Sequence, residues 1–179
     1  MLEIGDVVFT RIPAALFCKV ADTTQSWTNH VGVVVGQRDG EWLVAESCVP
    51  RARLRSFSAF VARSENGRYV VRRLPQGLDA AQQARLQVAV AERLGSFYHT
   101  GFALRARRQF CSKFVREVLF EACGVEIGRI ETFAELLGSN PQAPLGFWRL
   151  WFFGRIPWQR ETITPASQLR CPQLKTVLG

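Results

Sequence analysis

The apolar residues of this chain change their period once, around Pro75 and Gly77, and that change decides the class of fold open to it. Before it lie short apolar runs rich in β-branched residues: GDVVFT (5–10), HVGVVVG (30–36), EWLVAES (41–47) and YVVRRL (69–74). Runs of this length, bounded by turn residues, read as strands. Asp39-Gly40 lies between the second and third, where a two-residue hairpin turn needs residues that tolerate positive φ, so these two strands pair. Asn66-Gly67 marks the turn before the fourth. Beyond Pro75 the spacing becomes helical. Asp79 is an N-cap with Gln82 three residues on, and Leu86, Val90 and Leu94 share one side before Gly95. A second helix begins near Cys111, where Phe114, Val115, Val118, Leu119 and Ala122 recur at helical spacing until Gly124. Strands followed by helices predict an α+β fold, with a small antiparallel sheet packed against the helices.

At 179 residues, 47% of them hydrophobic, the chain has the size of one domain and the apolar content for a core. Neither a repeat nor a low-complexity linker divides it. From about Phe147 the segment FWRLWFFGRIPW is rich in aromatics, and it is expected to wrap a single domain spanning 1–179. The apolar stretch LGFWRLWFF (145–153) is interrupted by Arg149 and falls short of the roughly 18 residues that a membrane-spanning helix needs. MLEIGDVVFT has neither a basic leader segment nor a small-residue cleavage site, so a cytoplasmic location is expected.

Lys and Arg number 23 against 15 Asp and Glu, a net charge of +8, which suits an anionic partner. The arginines are nevertheless spread along the chain apart from Arg51, Arg53 and Arg55 and the group Arg105, Arg107 and Arg108. That is the pattern of a solvated surface, and no nucleic acid is expected. Cys18, Cys48, Cys111, Cys123 and Cys171 form no CxxC pair and are odd in number, which argues against a disulfide framework or a structural zinc site. Two histidines are too few for a His-rich centre, so neither metal nor organic cofactor is expected.

Chemistry converges on few residues. A buried cysteine ordinarily serves as a small hydrophobe. Cys111, however, opens a helix and falls in the middle of its apolar stripe, and unpaired N–H groups at a helix start favour a thiolate and can receive an oxyanion. A base must then come from His30 or His99. His30 opens a strand after Asn29, which holds its ring on a rigid element, whereas His99 lies in the less regular SFYHTGF. A Cys/His pair needs a third group to orient the imidazole. Glu46, an acid among apolar residues on the strand paired with that of His30, is the candidate.

GSFYHTGF followed by QFCSKFV, with Tyr98 thirteen residues before Cys111, resembles the first half of the NlpC-type papain-like cell-wall peptidases. GDVVFT and NHVGVVVG, with the apolar strand after them, resemble the second half. The halves stand in reverse order, the mark of the circularly permuted branch of YaeF/YiiX-like papain-fold amidases, and the chain is most similar to its YebB-like members. The resemblance runs from Gly5 to about Gly124. It implies a permuted papain-like fold with a partly barrel-like sheet, Cys111 as nucleophile, His30 as general base and then acid, Glu46 as its orienting residue and Tyr98 lining the substrate site. Gly5, Asp6 and Gly32 take structural roles. Two positions depart from the pattern: relatives often carry Asp where His99 stands, and unpermuted enzymes use His or Asn in place of Glu46.

The activity so implied is hydrolysis of an amide bond through an acyl-enzyme on Cys111, with a small peptide, such as a cell-wall fragment, as substrate. A second reading follows from the similarity of permuted folds to lecithin retinol acyltransferase: an acyl-ester or phospholipid enzyme, with Phe147, Trp148, Trp151, Phe152 and Trp158 forming an acyl groove or touching anionic lipid. A third is an inactive module that uses its arginines to hold an anionic partner. The sequence leaves the oligomeric state open.

Overall fold

β1 (Val7–Thr10) is buried along its whole length because it has an antiparallel partner on each side. One is β2 (His30–Arg38), with Thr10 opposite His30, and the other is β5 (Tyr69–Arg73). β2 turns through Asp39 and Gly40, both at positive φ (51° and 79°), into β3 (Glu41–Glu46). β3 pairs with β4 (Arg53–Ser56), and β5 pairs with β8 (Lys175–Leu178). In this computed structural model, which describes residues 1–179, the sheet is wholly antiparallel in the order β4-β3-β2-β1-β5-β8. A second, two-stranded sheet joins β6 (Ile130–Thr132) to β7 (Glu161–Ile163).

The strand alternation sends side chains to two faces. On one, Phe9, Val31, Val33 and Ala45 meet Leu86 and Val90 of α3 (Ala80–Ala91) and Phe114, Val115, Val118 and Leu119 of α4 (Cys111–Cys123). On the other, Val8, Val34, Val44 and Val71 surround Phe60 of α2 (Phe57–Val61). A third cluster gathers Tyr98, Phe102, Phe110, Phe133, Trp148 and Ile163. It draws on α5 (Phe133–Gly138) and α6 (Leu145–Trp151), with Phe17 of α1 (Ala15–Thr24) packed against it. α7 (Pro165–Leu169) follows β7.

The capping box at Asp79 and Gln82 forms as the spacing predicts, and Gly124 closes α4 at φ 74°. Two expectations need correction. Leu94 is not on the α3 face: the helix stops at Ala91, and Leu94 lies beyond it, 38% exposed. Nor does the segment after Phe147 only wrap what precedes it. Trp148 is buried, its Nε1–H donating to Thr23 Oγ1 at 2.8 Å, but β7 and β8 farther on complete both sheets.

Candidate active site

His30 is placed by its neighbours in sequence. The Asn29 side chain clasps the backbone of Ile12, accepting from its N–H at 2.8 Å and donating to its carbonyl at 3.1 Å, and Thr28 Oγ1 donates to Thr10 O at 2.7 Å. The chain therefore enters β2 pinned, with the imidazole 1% exposed on the face that carries Phe60. Gly32, two residues on, makes room there. A Cβ at Gly32 would lie 2.6 Å from Val44 Cγ1, 2.9 Å from Ala45 O and 3.1 Å from Phe60 Cε2. With no side chain in the way, the Phe60 ring reaches within 5.5 Å of the His30 ring, while Phe17 presents its edge at 6.2 Å.

Nε2 of His30 donates to Glu46 Oε2 at 2.6 Å. Nδ1 is buried and makes no hydrogen bond, and Cys111 is near enough to act on the ring. Such looseness is usual before a substrate binds. Burial pushes the imidazole toward its neutral form, but its interactions with Cys111 and Glu46 more than offset this and raise its pKa to about 9.

Glu46 is fully buried and surrounded by cations. Oε1 accepts from Arg53 Nε at 3.1 Å and lies 3.2 Å from Arg55 Nε, while Oε2 is shared between His30 and Arg63 Nη2, the latter at 2.5 Å. Pairing of β3 with β4 sets Glu46 opposite Arg53, and alternation puts Arg55 on the same face. Burial alone would raise the carboxyl pKa; the hydrogen bond and charge of His30 and the Arg63 guanidinium hold it well below the usual carboxylate range.

Cys111 is the first residue of α4, preceded by Phe110, whose side chain cannot cap the helix. The first turn is anchored elsewhere: Ser112 Oγ donates to Ile163 O at 2.8 Å, Gln168 Nε2 donates to Ser112 O at 2.8 Å, and the Lys113 ammonium reaches the Ala106 carbonyl. The Tyr98 hydroxyl points at Cys111 Sγ from 4.0 Å. Burial and the neighbouring thiol push its pKa well above the ordinary phenol value, so it stays a donor. A slot of about 30 Å³, walled by Phe17, Val20, Phe102, Trp148 and Ile163, lies against the thiol. No charged side chain lines it.

The structure thus brings Cys111, His30, Glu46 and Tyr98 together across 81 residues of sequence, from His30 to Cys111. His99 stands apart, half-buried, its pKa lowered by burial and by Arg160, Arg108 and Lys113. Sequence reasoning missed the arginines. The run Arg51, Arg53, Arg55 is not merely a solvated face: Arg53 and Arg55 pair with Glu46, and Arg51 stacks on Phe97 at 4.3 Å. Arginines at alternate positions of a strand, close after a lone acid among apolar residues, were the available signal.

Over residues 1–178 the chain matches the sequence profile of the permuted papain-like amidase enzymes, YaeF/YiiX. It is 28% identical over 175 residues to the uncharacterized protein YiiX of Escherichia coli, covering 98% of this chain and 85% of that protein. The crystal structure described as metalloprotein yiiX, also from Escherichia coli, matches with a TM-score of 0.89 at 28% identity, over 98% of this chain and 96% of that one.

Proposed function

The chain belongs to the permuted papain-like amidase family of the YaeF/YiiX type, as its reversed motif order implied, and from that premise we propose that it is a cysteine hydrolase that cleaves an amide bond through an acyl-enzyme on Cys111. The observation that carries this reading is the file Cys111, His30, Glu46, in which one ring nitrogen is held at 2.6 Å by a buried carboxylate and the other is left to the thiol.

His30 takes the Cys111 proton, and the thiolate Sγ bonds to the carbonyl carbon as the π pair moves onto oxygen, where the first N–H groups of α4 and the Tyr98 hydroxyl stabilise it. The C–N bond then breaks, and the leaving nitrogen takes the proton that His30 carries. Water adds to the thioester, giving a proton to His30. The C–S bond breaks as the carbonyl re-forms and the carboxylic acid leaves, and His30 returns its proton to Cys111. Cys111→Ala abolishes turnover of any amide the protein cleaves, and Glu46→Gln lowers kcat by about 10²-fold while the fold survives. Turnover that persists in Cys111→Ala would refute the reading.

For the substrate we propose a small peptide derived from the cell wall, as the resemblance to the NlpC-type peptidases implies. A second reading is an acyl-lipid substrate, favoured by the exposed surface at the end of α6 rather than by the slot, which is too small for an acyl chain and is lined in part by Thr23, Thr24, Asn29 and Ser112. Leu150 and Phe153, 80% and 98% exposed between Arg149 and Arg155, give that reading an apolar tip with basic flanks for an anionic lipid surface.

The structural neighbour is described as a metalloprotein, but the residues of this chain do not fit a resident metal. Although Cys111 and Glu46 both neighbour His30, no three His, Cys, Asp or Glu side chains are arranged so that they could hold one metal ion. Glu46, the carboxylate of the site, already faces three guanidiniums, which repel a further cation.

A further inference from the structure

Around His30 the charges do not balance. Arg53, Arg55 and Arg63 form ion pairs with Glu46 and with no other acid, so three guanidiniums face one carboxylate. Their side chains are about one third exposed, while the carboxylate they enclose is wholly buried. An arrangement built only to keep Glu46 ionised would need one of them.

The geometry divides the work. Arg53 donates to Oε1 with the Arg55 guanidinium beside it, and Arg63 shares Oε2 with the imidazole, so the carboxylate is restrained from rotating away from Nε2. Phe60 packs against both cationic partners of that oxygen, its ring centre 5.5 Å from that of His30 and 5.5 Å from the Arg63 guanidinium carbon. The groups that face His30 are Glu46 from β3, Cys111 from α4 and, through the shared oxygen, Arg63 from the segment after α2. α1 presents only Phe17. Glu46 faces His30, the three arginines and, from its own segment, Cys48.

We propose that Arg53, Arg55 and Arg63 are positioning residues that partly offset the charge of Glu46, so that the carboxylate orients His30 through its hydrogen bond while acting on the ring with a weaker negative potential than a lone carboxylate would. A lone carboxylate at this distance would make the imidazolium a still weaker acid and slow proton transfer to a leaving nitrogen. The cage keeps the hydrogen bond and tempers the field. This rests on the reading of His30 as the proton carrier.

The test is the His30 ring pKa, followed by NMR with Cys111 replaced by Ala so that only the ring titrates. Arg63→Gln is expected to raise it by about one pH unit, Arg63→Lys to leave it near the parent value, and the pair Arg53→Gln/Arg55→Gln to raise it as well. In the enzyme with its thiol, the alkaline limb of the pH profile moves up with the ring and kcat falls while KM holds. An unchanged or lowered ring pKa in Arg63→Gln and in the β4 pair overturns the proposal. If Arg63→Gln does not fold, the β4 pair decides alone. Because the titration needs no turnover, a protein that hydrolysed nothing would sink the hydrolase reading and leave the cage to be judged on its own.

Discussion

His30, enclosed by Phe17 and Phe60, is a residue that burial should strip of its proton, yet its pKa stands at about 9 against an ordinary 6.5. A folded pKa above the unfolded one contributes stability that is fully present below 6.5 and is lost as pH rises through about 9. The difference in melting temperature between the native protein and His30→Gln should therefore be largest near about pH 6 and shrink by about pH 10. A difference that grows over that interval contradicts the charge assignment. Glu46 works in the opposite sense, contributing above 4.5 and losing its contribution only as pH falls far below that. The sequence makes His30, Cys111, Glu46 and Tyr98 candidates because so few side chains can do this chemistry. It does not reveal Arg63, which reaches Glu46 only because α2 folds across the sheet.

At the scale of elements, β2 carries a glycine that no strand propensity would choose, and Gly32 is where the fold gives room to the site. Gly32→Ala sets a methyl against the Ala45 carbonyl and Val44, a steric cost of about 1–3 kcal/mol. Calorimetry should show that loss together with reduced activity, since Phe60 must withdraw from His30. An alanine variant of native stability and full activity would mean that the contact is slack. β1, β2, β3, β5, α3 and α4 were legible because each has a clear apolar period or a marked end. α2, five residues long, and β6, β7 and β8, three or four residues each, were not. Their conformations are set by partners distant in sequence: Leu178 of β8 lies beside Val71, and Ile163 of β7 beside Ile130. α1 was hidden for another reason, as Ala14 gives it no side-chain cap and Thr23-Thr24 ends it with β-branched residues.

For the whole molecule, a net charge of +8 and an apolar tip at Leu150 and Phe153 bear on where it meets its substrate. No helix is long and apolar enough to cross a membrane. If the substrate is acyl lipid, the protein should sediment with anionic vesicles at both low and high salt, and Leu150→Ser/Phe153→Ser should abolish the part that survives salt. Binding that disappears in salt and ignores the double substitution returns the substrate to the peptide class. The fold class could be read from the switch of period. The function rests more narrowly, on whether one cysteine of five is activated. Brief iodoacetamide treatment near neutral pH, with peptide mapping of all five cysteines, tests that most directly. Cys111 should be alkylated first, ahead of the partly exposed Cys18 and Cys123, and should lose that lead in His30→Ala. Labelling of Cys111 no faster than of Cys18 in the native protein would contradict the account.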